Sequence, residues 1–319
     1  MRQFIVFVID RTLVLAGRLV YAVNSILNFR VISTAGGLLG KFFYSFDKRS
    51  REIIKKELSL LFGERFDTKK IKSITKRSFE NYHKRRLETV FFGGLNKKKI
   101  NNLVDARGLE NIDEALSRGK GVILLLSHFG SFLLPLPFLG YRGYKVNQIT
   151  GKQIHSSFLS QRIWKWRKNE ADRLPVSFIQ IGKFLRPVYK ALKNNEIVAI
   201  AFDGRDGQRY VPVEFFDRTA LISSGPMNLA LRTGACILPT FVVRQKNDRH
   251  RLIIGTPFEL CTSEFIESDV LKNTKRFAEI FADFILTYPC HYGYILKIMR
   301  EDGDKGIAKG FFLEQEHKV

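Results

Sequence analysis

The chain has 319 residues, of which 45% are apolar, with 53 Lys or Arg against 31 Asp or Glu and a net charge of +22. This length and apolar content exclude a disordered chain and a small disulfide-stapled scaffold, and they leave room for a large α/β core. Three scattered cysteines, Cys236, Cys261 and Cys290, form no CxxC pair and read as reduced thiols, excluding a disulfide framework or a zinc site.

The first element is "MRQFIVFVIDRTLVLAGRLVYAVNSILNF". Asp10, Arg11 and Arg18 interrupt it too often for a clean membrane span or a secretory signal. Wound as a helix, it gathers Asp10, Arg11, Gly17, Arg18, Asn24, Ser25 and Asn28 on one stripe. The rest is a wide apolar face, as expected of an interfacial anchor; the alternative is a helix packed on the domain. Residues 30–48 read as a Gly-bearing connector. Residues 50–63 predict an amphipathic helix ended by Gly63, and a second helix runs from about Thr68 to Phe92 with a basic outer face. Between Lys41 and Lys99 there are 18 basic and 7 acidic residues, so half of the net charge falls in under a fifth of the chain. Such a field attracts nucleic acid, an anionic bilayer or an acidic carrier protein.

From residue 119 short apolar strands alternate with helices. Strands are predicted at 121–127, 196–202, 235–243 and 250–256, and helices at 110–118, 156–169, 182–194, 223–233 and 267–287. This alternation predicts an α/β fold with a mostly parallel central sheet flanked by helices, whose ligands sit at the carboxyl ends of strands. The expected organisation is an anchor helix and connector over 1–40, an α/β domain over 41–300, and a loose polar tail over 301–319.

Three segments carry chemistry. In "GVILLLSHFGSFLLPLPFLG", His128 lies just past the first core strand. Gly130 permits a sharp turn, and Ser131 is placed to cap a following helix, so free amides beside an imidazole suit an oxyanion in acyl transfer. A neutral His128 there can take a proton from an attacking hydroxyl. The run after it would wall an acyl pocket or simply pack. In "FDGRDGQRY", Asp203 also follows an apolar strand, and its turn, with Arg205, Asp206 and Arg209, suits a phosphate or a carrier pantetheine. It lacks the spacing of a nucleotide loop. In "ISSGPMNLALRTGACILPTFVV", Ser223 or Ser224 starts a helix bearing Pro226 in its first turn, and Gly234 ends it.

Taken in order, the strand-then-His turn, "FDGRDG", "YVPVEFF" and above all "SSGPMNLALRTGACILPTFV" resemble the lipid A biosynthesis acyltransferase family, within the lysophospholipid acyltransferase superfamily. "TYPCHYGY" looks like a weakened form of its closing segment, with Tyr292 and Tyr294 where tryptophans are usual. The resemblance implies an O-acyltransferase on the cytoplasmic face of a bacterial inner membrane. It would move an acyl group from an acyl carrier protein or CoA thioester to a lipid or glycolipid hydroxyl. No metal or cofactor is expected, and no nucleic-acid partner, since the basic segment lacks interleaved aromatics and any helix-turn-helix or zinc pattern. His128 is expected as general base beside the Gly130 and Ser131 turn, and the basic side chains of Arg162, Lys183, Arg205 and Arg209 are expected to grip acidic groups of donor or acceptor. One position departs from the pattern: the family acid four residues beyond the histidine is replaced by Leu133. Asp203, at a neighbouring strand end, is the expected substitute, with Asp206 second. The competing expectation is an impaired homologue that binds lipid or a partner at the membrane.

Overall fold

The computed structural model describes residues 29–90, 92–151, 168–169, 171–180, 185–205, 207, 209–304 and 311–313. Four helices open the fold: α1 (Phe29–Phe46), α2 (Lys48–Phe62), α3 (Thr68–Val90) and α4 (Lys97–Leu103). Then come β1 (Val104–Arg107), α5 (Leu109–Ser117), β2 (Val122–Leu126), α6 (Pro135–Gly140), β3 (Val146–Thr150), β4 (Ser177–Gln180), α7 (Arg186–Lys193) and β5 (Ile197–Ala201). The last part holds β6 (Tyr210–Phe215), β7 (Arg218–Ser223), α8 (Gly225–Thr233), β8 (Cys236–Arg244), β9 (His250–Ile254), α9 (Ile266–Thr287) and α10 (Gly293–Asp304).

Seven strands form one sheet in the order β1-β9-β8-β2-β5-β3-β4, parallel except where β9 runs against β8. Helices cover both faces, which is why β2 can be apolar at every position and fully buried. Its side chains alternate between two cores. Ile123 and Leu125 join Leu58 of α2, Phe79 of α3 and Phe281 of α9, while Val122, Leu124 and Leu126 join Ile100 of α4, Ile112 of α5 and Phe138 of α6. The α/β class and mostly parallel sheet are thus as the sequence predicts. The predicted strands correspond to β2, β5, β8 and β9. The short strands β1, β3 and β4 escape the reading because they lie toward the sheet margins, where polar residues such as Asn147, Gln148 and Gln180 replace an apolar run. The expected anchor over residues 1–28 and nearly all of the predicted helix 156–169 lie outside the described residues.

Residues 30–48 are not a connector but α1, and the glycines have a packing role. A Cβ on Gly36 would stand 2.6 Å from Lys84 Cα, and one on Gly40 would stand 2.5 Å from Glu80 Cα. The glycines, one turn apart, let α1 lie against the backbone of α3 at a distance other residues would not allow. The opposite side of α1 exposes Val31, Leu38, Leu39, Phe42 and Phe46. Among the described residues no helix is long and apolar enough to cross a membrane. The tail also departs from expectation. Residues 301–304 finish α10, and residues 311–313 bond to β7 through Leu221 N–H to Phe311 O (2.7 Å) and Leu313 N–H to Thr219 O (2.9 Å). Phe311 is buried against the hairpin, which accounts for that docking.

A buried polar network ties α1 and α3 to the end of β8. Arg244 grips Glu88 with both terminal nitrogens at 2.7 Å, and Ser33 donates to the same carboxylate. Burial alone would raise the Glu88 pKa, but the Arg244 charge and hydrogen bonds outweigh it and hold the carboxyl below its usual range. His250 is fully buried with Nε2 3.7 Å from Glu88, and His291 Nε2 accepts the Arg244 backbone N–H at 2.9 Å. Burial, reinforced by the Arg244 charge, lowers each of these histidines to about 3.

These two histidines make stability depend on pH. Both are neutral in the fold, whereas the unfolded chain protonates them below the ordinary imidazole value of 6.5. The unfolded state therefore binds more protons, and stability falls as pH drops from 6.5 toward 3. Once the unfolded chain holds both protons, two such groups give a limiting slope of about 2.7 kcal/mol per pH unit. Urea midpoints measured between neutral and mildly acidic pH should show this loss, with His250→Phe halving the slope; a midpoint that does not move contradicts the assignment.

Candidate active site

β2 and β5 are parallel neighbours with Leu126 opposite Ala201. Continuing each strand by two residues puts His128 opposite Asp203 at the carboxyl end of the sheet, where parallel α/β sheets hold their ligands. Phe202 N–H bonds to Leu126 O at 2.7 Å and carries the register past the strand ends.

The side chains meet. His128 Nδ1 lies 2.9 Å from Asp203 Oδ1, and the His128 backbone N–H reaches both carboxylate oxygens at 3.0 and 3.1 Å. Tyr292, fully buried at the start of α10, donates its hydroxyl to Asp203 Oδ2 at 3.0 Å. Burial pushes the Asp203 pKa up, but the His128 and Tyr292 contacts prevail and hold it below the ordinary carboxylate value. Burial and the facing carboxylate raise Tyr292 well above its own ordinary value, so it stays a donor. An ionised carboxylate only accepts, so the neutral His128 carries its proton on Nδ1 and leaves the Nε2 lone pair free. The imidazole is 37% exposed while the Asp203 side chain is fully enclosed. The ring is thus anchored on one side and open on the other.

It opens into a cleft of about 280 Å³. Tyr82, Arg85, Arg86 and Thr89 of α3 form one wall, and Ile295, Ile298 and Met299 of α10 form another. Phe132 packs edge-on against the His128 ring at 4.9 Å, with the Arg85 guanidinium 5.3 Å from the Phe132 centroid. Burial lowers Arg85 to about 10, which leaves it cationic at neutral pH. Leu133 lines the same cleft and brings no charge to it.

The other expected site residues are differently placed. Gly130 has φ 57°, and an added Cβ would fall 2.0 Å from Val242 O, so the turn requires glycine there. Its N–H donates to His291 O at 3.3 Å and His128 N–H is held by Asp203; neither is a free amide, contrary to expectation. Ser131 is buried but caps no helix, because α6 begins beyond it after Leu134 without a side-chain cap. Arg205 lines the cleft, yet its guanidinium is engaged by Asp302 (2.6 Å) and Met299 O (3.1 Å), and its carbonyl accepts from Tyr210. It fastens the Asp203 turn to α10. Arg209 is exposed and does not line the cleft, while its carbonyl accepts from Ser224 N–H at 3.1 Å. Arg162, Lys183 and Asp206 lie outside the described residues. Sequence reasoning missed Arg85 and the part played by Tyr292. The first sits in a helix read as outward-facing, and for the second the only signal was a tyrosine at a position where the family favours tryptophan.

The family model for bacterial lipid A biosynthesis acyltransferases matches residues 6–301. The chain is 29% identical over 227 residues to the lipid A biosynthesis lauroyltransferase of Escherichia coli strain K12, covering 70% of each chain. Against the palmitoleoyltransferase of lipid A biosynthesis from the same strain it is 24% identical over 245 residues, 73% of this chain and 74% of the relative. A phosphatidylinositol mannoside acyltransferase of Mycobacterium tuberculosis (strain CDC 1551 / Oshkosh) is 26% identical over 223 residues, 67% of this chain and 66% of that protein, just under two thirds of its length. A match running from the N-terminal segment into α10 takes in the histidine turn, the Asp203 turn and the closing tyrosine segment, and the chain therefore belongs to the bacterial lipid A biosynthesis acyltransferase family.

Proposed function

We propose that this protein transfers a fatty acyl group from a thioester, carried by an acyl carrier protein or CoA, to a hydroxyl of a membrane glycolipid or related lipid. The observation that carries the reading is the Asp203–His128 pair, with its free Nε2 directed to a cleft. His128 Nε2 takes the proton of the acceptor hydroxyl as its oxygen attacks the thioester carbonyl. The tetrahedral intermediate collapses with cleavage of the C–S bond, and the imidazolium returns the proton to the departing sulfur. Asp203 holds the ring in the useful tautomer and stabilises it while charged, and Tyr292 holds Asp203. Because the His128 and Gly130 amides are already committed, the oxyanion is to be met by other donors of the turn over residues 131–133 or by cationic Arg85.

The relatives named for lipid A and for phosphatidylinositol mannoside support a glycolipid acceptor. The exposed apolar side of α1, beside the basic 41–99 segment, supports work at an anionic bilayer surface, at the cytoplasmic face of the inner membrane. In the substrate-binding role first expected of Arg205, the walls of the cleft favour Arg85 and Arg86 instead; Arg162 and Lys183 keep that role as an expectation.

Purified protein incubated with acyl-carrier or CoA thioesters and lipid acceptors should release free thiol in step with acylated lipid, detected by mass spectrometry. Lipid bound tightly with no thiol released from any donor would instead favour the non-catalytic lipid-binding homologue to which Leu133 points.

A further inference from the structure

A second pocket, of about 560 Å³, lies on the other flank of α3. Its walls are the first half of α3, the turn joining β8 to β9, and residues 286–291. It shares no lining residue with the His128 cleft. β8 is parallel to β2, so this pocket also opens at the carboxyl end of the sheet. Five basic side chains line it, Lys70, Arg77, Arg244, Lys246 and Arg251, and no carboxylate among the described residues does.

Lys70, Ser73 and Arg77 recur at helical spacing and turn one face of α3 into a concavity, where like charges repel one another. Three half-buried cations elsewhere have acid partners: Lys84 with Asp248, Arg205 with Asp302, Arg218 with Glu57. Two of the five here are also answered, Arg244 by Glu88 and Arg251 by Asp105. Lys70, Arg77 and Lys246 have no carboxylate within ion-pair distance among the described residues, although the Lys70 ammonium stands 5.8 Å from the Phe66 ring centroid. Three unanswered charges, a hydroxyl donor from Ser73 and an apolar lining of Val243 and Leu286 match a phosphoester attached to a larger, partly apolar molecule.

We infer that this pocket is an anion site for a phosphoester group, separate from the His128 cleft. Anion binding stands without the acyl-transfer reading; only the choice between the thioester donor and the lipid acceptor as the molecule bearing the phosphate rests on it. Arg77 and Lys246 are exposed, so replacing them leaves the core intact.

The test is calorimetric binding of inorganic pyrophosphate to the full chain and to an Arg77→Ala/Lys246→Ala variant. A Lys97→Ala/Lys98→Ala variant, altered at exposed cations of α4, serves as the control. Loss of charge-assisted bonds should weaken pyrophosphate by about tenfold or more in the first variant and leave the control unchanged. Equal affinity in all three proteins overturns the site. With turnover established, the same variant should raise one KM by a similar factor at unchanged kcat. A rise for acyl-CoA assigns the phosphate to the donor, and a rise for a phosphorylated lipid assigns it to the acceptor. Weakened pyrophosphate binding with no turnover in any protein would uphold the site while removing the acyl-transfer reading.

Discussion

Replacing His128 with alanine is expected to lower acyl transfer by about 10²- to 10⁴-fold, the span supplied by a well-placed general base. The side chain is partly exposed at the cleft mouth, so its removal leaves no sealed cavity. Asp203 would keep the residue-128 backbone N–H and the Tyr292 hydroxyl as partners, and the fold has no reason to loosen. The loss should therefore fall on kcat, with KM for the lipid and attachment to liposomes nearly unchanged. Initial rates of thiol release from wild type and variant check this. Wild-type turnover in the variant would remove His128 from the mechanism, and a parallel loss of liposome binding would point to a structural role.

Much of this arrangement can be read from the chain because the central strands are buried on both faces. A short apolar run such as VILLL or IVAIA, bounded by turn residues, fits a strand covered on both faces, and the residues just after it emerge at the carboxyl end of the sheet. His128 and Asp203 could each be placed that way. Their adjacency is expected only because the acid missing at Leu133 must come from another strand end; β5 pairs with β2 across a long separation in the chain, and pairing order itself leaves no local mark. Gly36 and Gly40 mislead for a different reason: glycine permits both a flexible connector and the close approach of two helices, and only the presence of Lys84 and Glu80 decides between them. Arg205 shows the same limit. A basic side chain in a glycine-rich turn suits an anionic substrate, but Asp302, far along the chain, already holds it. Tyr292 acts through a single hydroxyl reaching a carboxylate on another element, and no periodicity reports such a contact.

The second large effect concerns the carboxylate, which comes from the end of β5 although the local position is Leu133. Asn at 203 is nearly isosteric and can still accept from Tyr292 and from the residue-128 backbone. Its amide N–H₂, however, favours an unprotonated Nδ1 on His128, which moves the ring proton to Nε2 and withdraws the lone pair from the cleft. In the serine-protease arrangement the same exchange costs about 10⁴ in rate; here it is bounded by the whole general-base contribution, so about 10³ is expected. The central claim is that Asp203 sets the proton of His128. The measurement that meets it most directly is the acyl-transfer rate of Asp203→Asn, made on protein whose urea midpoint confirms an intact fold. A fall of about 10³ in kcat with KM almost unmoved is the predicted result. A folded Asp203→Asn protein turning over within about threefold of wild type would contradict the account.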